Sequence, residues 1–256
     1  MTFEETLMTS QAIWRETASI RLSETDFQQR WKPVAFFSAM QEAGSHHATR
    51  LGFDYSDMMA AGVSWVLLRA KIHFDSFPRA GQSVTIETWP KGVRNKLFFM
   101  RDYLAFSEDG NRLAAATCAF GLIDLHARRI LPAKMLEGEL PNNEGRNAIA
   151  GFPEHLNMPA EINENFRHQT TYSDVDLMGH VNNTRYVEWV CDCFSMEFHQ
   201  QHSLEELQIN YRNEIKAGEW VVIQTGSTDD QPGIFFVAGN NLNTGSIAFE
   251  AAARWK

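Results

Sequence analysis

The residues best suited to chemistry in this sequence lie in one short polar stretch of its second half. Ten consecutive positions hold two carboxylates, an imidazole and two amides: Asp174, Asp176, His180, Asn182 and Asn183. Carboxylates and imidazole can transfer protons near neutral pH, and side-chain amides can orient a carbonyl group or a water molecule. This crowding of polar groups predicts a reaction site.

The polar stretch is followed by an apolar pattern with helical spacing. The pattern consists of Tyr186, Trp189, Val190, Cys193 and Phe194, which predicts one buried face of a long helix. The first N–H groups of a helix have no partner inside it and favour an anion or a polarised carbonyl oxygen. Gly179 would let a ligand approach the backbone closely. The simpler interpretation is that Asn182 or Asn183 only caps the helix while the aspartates make turn hydrogen bonds.

The sequence contains an internal repeat. Residues 71–88 align without a gap to residues 208–225, so that Ile72 meets Ile209 at an offset of 137. Both copies predict a strand, an Ala-Gly turn and a second strand. The same offset places Leu97–Met100 on Ile234–Val237, and each copy ends in an Ala-rich apolar strand, near 113–122 and 247–255. The chain is therefore predicted to be two copies of one design.

The predicted repeats differ where the chemistry should lie. A helix predicted from Pro33 to Gly52 takes the place of the helix after Asn183, and a proline-rich stretch at 132–165 separates the copies. We therefore predict a first repeat over 1–131, a linker over 132–165 and a second repeat over 166–256. Aligning the helix starts puts Arg30 in place of His180 and Lys32 in place of Asn182. The second repeat is predicted to react and the first to bind.

Composition narrows the classes of function. A formal charge of −9 over 256 residues argues against broad nucleic-acid binding, which needs a dominant positive field. No apolar run approaches the ~20 residues that cross a bilayer, and the first residues lack the pattern of a leader, so we expect a cytoplasmic protein without a membrane partner. Cys191 and Cys193 point to different sides of the predicted helix, and with Cys118 they predict free thiols without a disulfide or metal site.

These motifs together resemble a known family. A long helix wrapped by an antiparallel sheet, with an Asp-x-x-Gly-His-Val-Asn-Asn turn at its start, resembles the hotdog fold. A fused pair of such units with Glu188-Trp189 and a downstream Tyr211-Arg-Asn-Glu214 resembles the acyl-ACP thioesterases of the double-hotdog type. The likeness extends from about Trp14 to Trp255. It implies an α+β tandem hotdog, hydrolysis of fatty acyl-ACP thioesters, an acyl carrier protein as partner and no cofactor.

The resemblance also implies site residues. In that family an Asp, an Asn and a His of the turn, with a Glu of the following strand, are implicated in hydrolysis; Asp176, His180 and Glu214 match three of them. The expected Asn is replaced by Met178, for which Asn182 is the available substitute. A cysteine nucleophile that some accounts place after the Glu has no counterpart here, since that position is isoleucine.

We expect the matched residues to activate water. Glu214 would act as the base with help from His180, or the reverse, and Asp176 would orient the site. The N–H groups near Gly179 and His180 would hold the oxyanion, supported by Asn182. The alternative interpretation of Glu214 is a surface ion pair with Arg212 or Lys216.

Several alternatives stay open at this point. The turn chemistry does not distinguish an acyl-ACP from an acyl-CoA thioesterase, and an enoyl-thioester hydratase is a weaker option. A non-catalytic acyl-thioester-binding protein is also open because of Met178. Whether the protein forms a homodimer is also open, because the two fused repeats could already form the pair that single hotdog units build by dimerising.

Overall fold

The computed structural model describes residues 12–256. They form two compact units. The first comprises the chain up to Leu68 together with His73–Pro153, and the second comprises Arg69–Ile72 and Glu154–Lys256.

The described part of the first unit contains two α-helices and an antiparallel sheet. Its elements are β1 (Trp14–Ser19), a 3-10 turn (Leu22–Glu24), α1 (Pro33–Arg50), α2 (Tyr55–Ala60), β2 (Val63–Phe74, whose Arg69–Ile72 belong to the second unit), β3 (Ser83–Arg94), β4 (Phe98–Ser107), β5 (Arg112–Asp124) and β6 (Arg129–Leu131). The strand order is β1-β3-β4-β5-β2, with β6 on β5. The predicted helix from Pro33 is confirmed, and proline suits its first turn because that N–H would have no partner. One face of α1 is buried through Phe36, Phe37, Met40, Ala43, Gly44 and His47.

The second unit repeats this plan. Its elements are β7 (Asn163–Gln169), a 3-10 turn (Tyr172–Asp174), α3 (Asn183–Asp192), α4 (Met196–Gln201), β8 (Leu204–Tyr211), β9 (Trp220–Ser227), β10 (Ile234–Asn241) and β11 (Ile247–Trp255). The strand order is β8-β11-β10-β9-β7, with antiparallel neighbours throughout. Tyr186 and Trp189 of α3 pack on Phe249 of β11, with ring centroids 5.0 and 6.3 Å away.

The prediction of one long helix in the second repeat is wrong in its length. The first helix ends at Asp192, and Cys193 and Phe194 lie in the break before α4. Ser195 starts the new helix because its hydroxyl accepts a hydrogen bond from the N–H of Phe198. A serine cap inside a helical pattern favours a new start over continuation.

The strand–turn–strand repeat is confirmed, but one part of its alignment is wrong. Thr88 pairs with Tyr103 on β4, whereas its counterpart Thr225 pairs with Val237 on β10. Tyr103 and Val237 are therefore equivalent, at an offset of 134 instead of 137. The difference arises from the β3–β4 hairpin, which is longer and contains a register shift between Pro90 and Val93.

The segment after β6 packs on the sheet of the first unit. The N–H of Ala148 donates to Asp102 of β4 at 2.7 Å, and Lys91 of β3 contacts the same carboxylate at 2.9 Å. The guanidinium of Arg146 lies 4.3 Å from the ring centre of Trp89. These contacts fix the course of the chain as far as the end of the first unit.

Candidate active site

The polar stretch forms a tight turn in front of α3. The N–H of Asp176 donates to the carbonyl of His180, and the N–H of Gly179 donates to the carbonyl of Asp176, both at 2.9 Å. The Asp176 carboxylate accepts the N–H of Met178 at 2.9 Å. Gly179 has a φ of +75°, which glycine adopts without strain. The turn thus orients Asp176 and His180 together.

Backbone pairing joins this turn to the β8–β9 connection. The N–H of Val181 donates to the carbonyl of Ile215 at 2.8 Å, and His180 forms a bridge with Lys216. Ile215 is fully buried and anchors the connection. As a result Glu214 Oε2 lies 3.2 Å from His180 Nε2. Two residues 34 positions apart (214 − 180) therefore form one polar pair.

The pair is only partly shielded from solvent. The side chain of His180 is 20% exposed and that of Glu214 is 36% exposed. The expected placement of Glu214 on a strand is wrong, since β8 ends at Tyr211 and Glu214 lies in the exposed connection that follows. Arg212, the proposed surface partner, has its Nε 3.8 Å from Glu250. An exposed pair can receive water and a substrate directly.

Tyr186, which the sequence predicts only as a core residue, is influenced by the charges of Glu214 and Asp176. Burial raises the pKa of the Tyr186 phenol, and the negative charges of Glu214 and Asp176 raise it further. The phenol is therefore neutral at physiological pH and lies within electrostatic reach of both carboxylates. Tyr211 packs beside Tyr186: its ring meets that of Tyr186 edge to face at 5.4 Å, and its hydroxyl donates to the Asn183 carbonyl at 3.1 Å.

The two residues predicted to support the oxyanion have well-defined surroundings. Asn182 caps α3, as the simpler interpretation predicted: its Oδ1 accepts from the N–H of Thr184 at 2.9 Å and from the Thr184 hydroxyl at 2.8 Å. These bonds do not use its amide NH2. The N–H of Gly179 is already used to close the turn, so its predicted role as an oxyanion donor needs correction. A side chain at Gly179 would meet no atom within 4 Å, which leaves open space beside the turn.

The first repeat builds the same turn without the pair. The N–H of Asp26 donates to the carbonyl of Arg30 at 2.8 Å, and that of Trp31 donates to Pro78 at 2.8 Å, as Val181 does to Ile215. Arg30, at the position of His180, is held by Asp26 through a 2.9 Å ion pair. The position of Glu214 is occupied by Phe77. This turn has no pair able to relay a proton.

Thiol chemistry is not favoured in the second repeat. Burial raises the pKa of Cys191 and of Cys193 to about 12. Both are therefore protonated and weakly nucleophilic near neutral pH. Among the described residues, no group of three or more His, Cys, Asp or Glu side chains is arranged to hold a metal ion.

Comparison with known proteins agrees with this architecture. Residues 11–137 match the acyl-ACP thioesterase N-terminal domain, and residues 159–256 match the acyl-ACP thioesterase C-terminal domain. The chain belongs to the acyl-ACP thioesterase family. This confirms the family that the turn and the tandem repeat predicted.

The curated relatives of this family member share low sequence identity with it. A chloroplastic dodecanoyl-[acyl-carrier-protein] hydrolase of Cinnamomum camphora is 23% identical, over 95% of this chain and 68% of the relative. The chloroplastic oleoyl-acyl carrier protein thioesterase 1 of Arabidopsis thaliana is 26% identical, over 85% of this chain and 64% of the relative. The chain thus spans about two thirds of the length of these two curated relatives.

Solved structures confirm the fold of this family member. An acyl-ACP thioesterase from Bacteroides thetaiotaomicron matches with a TM-score of 0.82 at 21% identity, with all of both chains covered. The 12:0-ACP thioesterase from Umbellularia californica matches with a TM-score of 0.76 at 21% identity, over 96% of this chain and 97% of that one. The predicted α+β tandem hotdog is therefore confirmed. None of the helices in the described part of the chain is long and apolar enough to span a membrane.

Proposed function

We propose that this protein hydrolyses the thioester of fatty acyl-ACP and releases a free fatty acid. The observation that carries the proposal is the 3.2 Å contact between His180 Nε2 and Glu214 Oε2 at the start of α3. Membership of the acyl-ACP thioesterase family supports the reaction class and makes acyl carrier protein the proposed partner. In this proposal the first repeat, 1–131, binds the acyl chain and the second, 166–256, reacts.

The first step is the attack of water on the thioester carbonyl. Glu214 takes a proton from the water, and His180 shares that proton through their contact. The new C–O bond turns the carbonyl into a tetrahedral oxyanion. A thioester has little resonance stabilisation, so a positioned base with one or two hydrogen-bond donors is sufficient chemistry.

The second step is the loss of the thiol. The oxyanion collapses, the C–S bond breaks, and the leaving sulfur receives a proton from the His180–Glu214 pair. The oxyanion donors in this proposal are the N–H of His180 and the side-chain amide of Asn182, with the open space beside Gly179 admitting the carbonyl. Asp176 orients the turn by accepting the N–H of Met178.

Thiol release from a chain-length series of acyl-ACPs tests this proposal. His180→Ala and Glu214→Ala should each lower kcat by about a hundredfold or more, because a positioned base contributes on that scale. Arg30→Ala is the matched control, since Arg30 occupies the position of His180 in the first repeat; its kcat should stay within about twofold of the wild type. Tight acyl-ACP binding without thiol release by the wild type would overturn hydrolysis and assign an acyl-binding protein instead.

A further inference from the structure

Asp174 is a buried carboxylate that the proposed reaction does not use. Its side chain is only 8% exposed. It accepts hydrogen bonds from the N–H of Thr171 at 2.7 Å and from the Thr171 hydroxyl at 3.0 Å. Its own backbone carbonyl accepts the N–H of Asn182 at 2.9 Å. Asp174 therefore fixes the chain two residues after His180.

Two cationic or protonatable side chains meet this carboxylate from different elements. His168 of β7 contacts Asp174 at 3.0 Å and lies against the Trp189 ring of α3 at 5.3 Å. Arg185 of α3 has its Nε 3.8 Å from Asp174 and donates to the Ser173 carbonyl at 2.6 Å. Asp174 thus links β7, the turn and the first turn of α3.

The charge of Asp174 is stabilised in this position. Burial alone would raise the pKa of the carboxyl, but hydrogen bonds from Thr171 and His168 outweigh it, so its pKa lies below the ordinary value of 3.8. The group is ionised at neutral pH. An ionised, buried acceptor with several donors is a rigid anchor, because movement would leave a charge without its partners.

The first repeat provides an internal comparison. Glu24 stands in place of Asp174: its carboxylate accepts the N–H of Arg21, and its carbonyl accepts the N–H of Lys32, both at 2.9 Å. At the same spacing of 150 residues, His168 is replaced by Ala18 and Arg185 by Ala35. Strand pairing supports this equivalence, since Ala18 pairs with Val84 as His168 pairs with Val221. The turn therefore forms without these two side chains.

We propose that Asp174, held by His168 and Arg185, is a positioning residue that keeps His180 in contact with Glu214. The two added side chains are present in the repeat that carries the His180–Glu214 pair and are alanines in the repeat that lacks it. A shift of about 1 Å at His180 would break a 3.2 Å contact, whereas a turn that carries no such pair tolerates that shift. This inference rests on the proposed function.

Kinetics of matched variants test the positioning role. Asp174→Asn should lower kcat about tenfold with KM within about twofold, because substrate binding is retained while the reacting pair is misplaced. Arg185→Ala and His168→Ala, which introduce the residues of the first repeat, should also lower kcat. Arg185→Lys should keep part of the kcat that Arg185→Ala loses. Glu24→Gln is the matched control and should leave kcat unchanged. In a His180→Ala background, Asp174→Asn should cause no further loss of the residual rate.

A crystal structure of Asp174→Asn gives a readout independent of turnover. The distance from His180 Nε2 to Glu214 Oε2 should increase beyond hydrogen-bond range. A contact kept at the wild-type distance overturns the inference, as does a kcat unchanged by Asp174→Asn or lowered equally by Glu24→Gln. Failure of wild-type thiol release contradicts the proposed function instead, and the structural readout still decides the positioning role. If Asp174→Asn does not fold, Arg185→Ala supplies both measurements.

Discussion

His180 and Glu214 meet where water can enter, and this setting suits hydrolysis. A fully buried pair would need a substrate or a channel to bring water, whereas these side chains are 20% and 36% exposed. Their contact fixes the direction of the imidazole, and Asp176 fixes the turn from the other end. In the proposed mechanism, catalysis depends on this placement, which the turn before α3 and the β8–β9 connection provide.

The turn lacks one donor that the family resemblance leads us to expect. Met178 occupies the position of the asparagine, and its N–H already donates to Asp176. Met178→Asn should therefore raise kcat for acyl-ACP hydrolysis about threefold or more, because a side-chain amide adds a donor for the carbonyl or the attacking water. Thiol release under saturating substrate measures this change.

The control for this substitution is Leu177→Asn, which adds an amide at the neighbouring, exposed position of the same turn. It should leave kcat unchanged. Equal rates for Met178→Asn and the wild type would show that the turn already has all the donors that the reaction needs.

The site residues divide into those that sequence could reveal and those that it could not. Asp176 and His180 stand out because they crowd one turn, whereas Glu214 was predicted only from the resemblance to the acyl-ACP thioesterases. Tyr186 reads as an ordinary core residue of a helix, and its proximity to both carboxylates depends on tertiary packing. Asp174 belonged to the predicted polar stretch, but its contacts with His168 and Arg185, which come from different elements, depend on tertiary packing.

The strands of the two units fill equivalent positions with side chains of different volume. In the second repeat Gly239 of β10 lies opposite Phe249 of β11, whereas the equivalent pair in the first repeat is Ala105 and Ala114. The Phe249 ring occupies the space that a side chain at Gly239 would need. That ring in turn supports Tyr186 and Trp189 of α3.

Gly239→Ala should accordingly destabilise the second unit. The added methyl group would overlap the buried ring of Phe249, so we expect a loss of about 2 kcal/mol in the free energy of unfolding. Urea denaturation measures it. The double variant Gly239→Ala/Phe249→Leu should lose less than the sum of the single variants, because the smaller side chain relieves the overlap. A single variant as stable as the wild type would contradict this packing account.

The elements were predictable where local signals and the repeat agreed. Pro33 marked the start of α1, and the Ala-Gly turns marked the connections from β2 to β3 and from β8 to β9, although these strands are not neighbours in the sheet. The predicted alignment of β4 with β10 is wrong by three residues. Apolar residues recur along both strands, so the sequence gives no sign of the register shift. The sequence did not predict the end of α3, because the apolar pattern continues beyond it even though Ser195 caps a new helix.

In the proposed function, the duplication of the whole chain separates acyl binding from hydrolysis, two tasks that a single turn would have to combine. Both turns keep the backbone hydrogen bonds, yet Arg30 pairs with Asp26 in one and His180 meets Glu214 in the other. The sequence predicted this asymmetry because charge and residue type at aligned positions are visible without a structure. The carrier was predicted only from the family resemblance, since the reacting thioester is the same on acyl-ACP and acyl-CoA and the turn chemistry does not distinguish them.

Comparison of carriers should therefore separate chemistry from recognition. With one acyl chain, kcat/KM should be about tenfold or more higher for acyl-ACP than for acyl-CoA, and the difference should lie mainly in KM because the reacting atoms are identical. The matching acyl-pantetheine, which has the thioester but neither the protein nor the nucleotide, sets the rate without carrier contacts. Equal values for acyl-ACP and acyl-CoA would refute carrier-protein recognition and leave a general acyl thioesterase. If acyl-pantetheine is hydrolysed with the kcat of acyl-ACP but without its lower KM, the discrimination lies in contacts with the carrier protein.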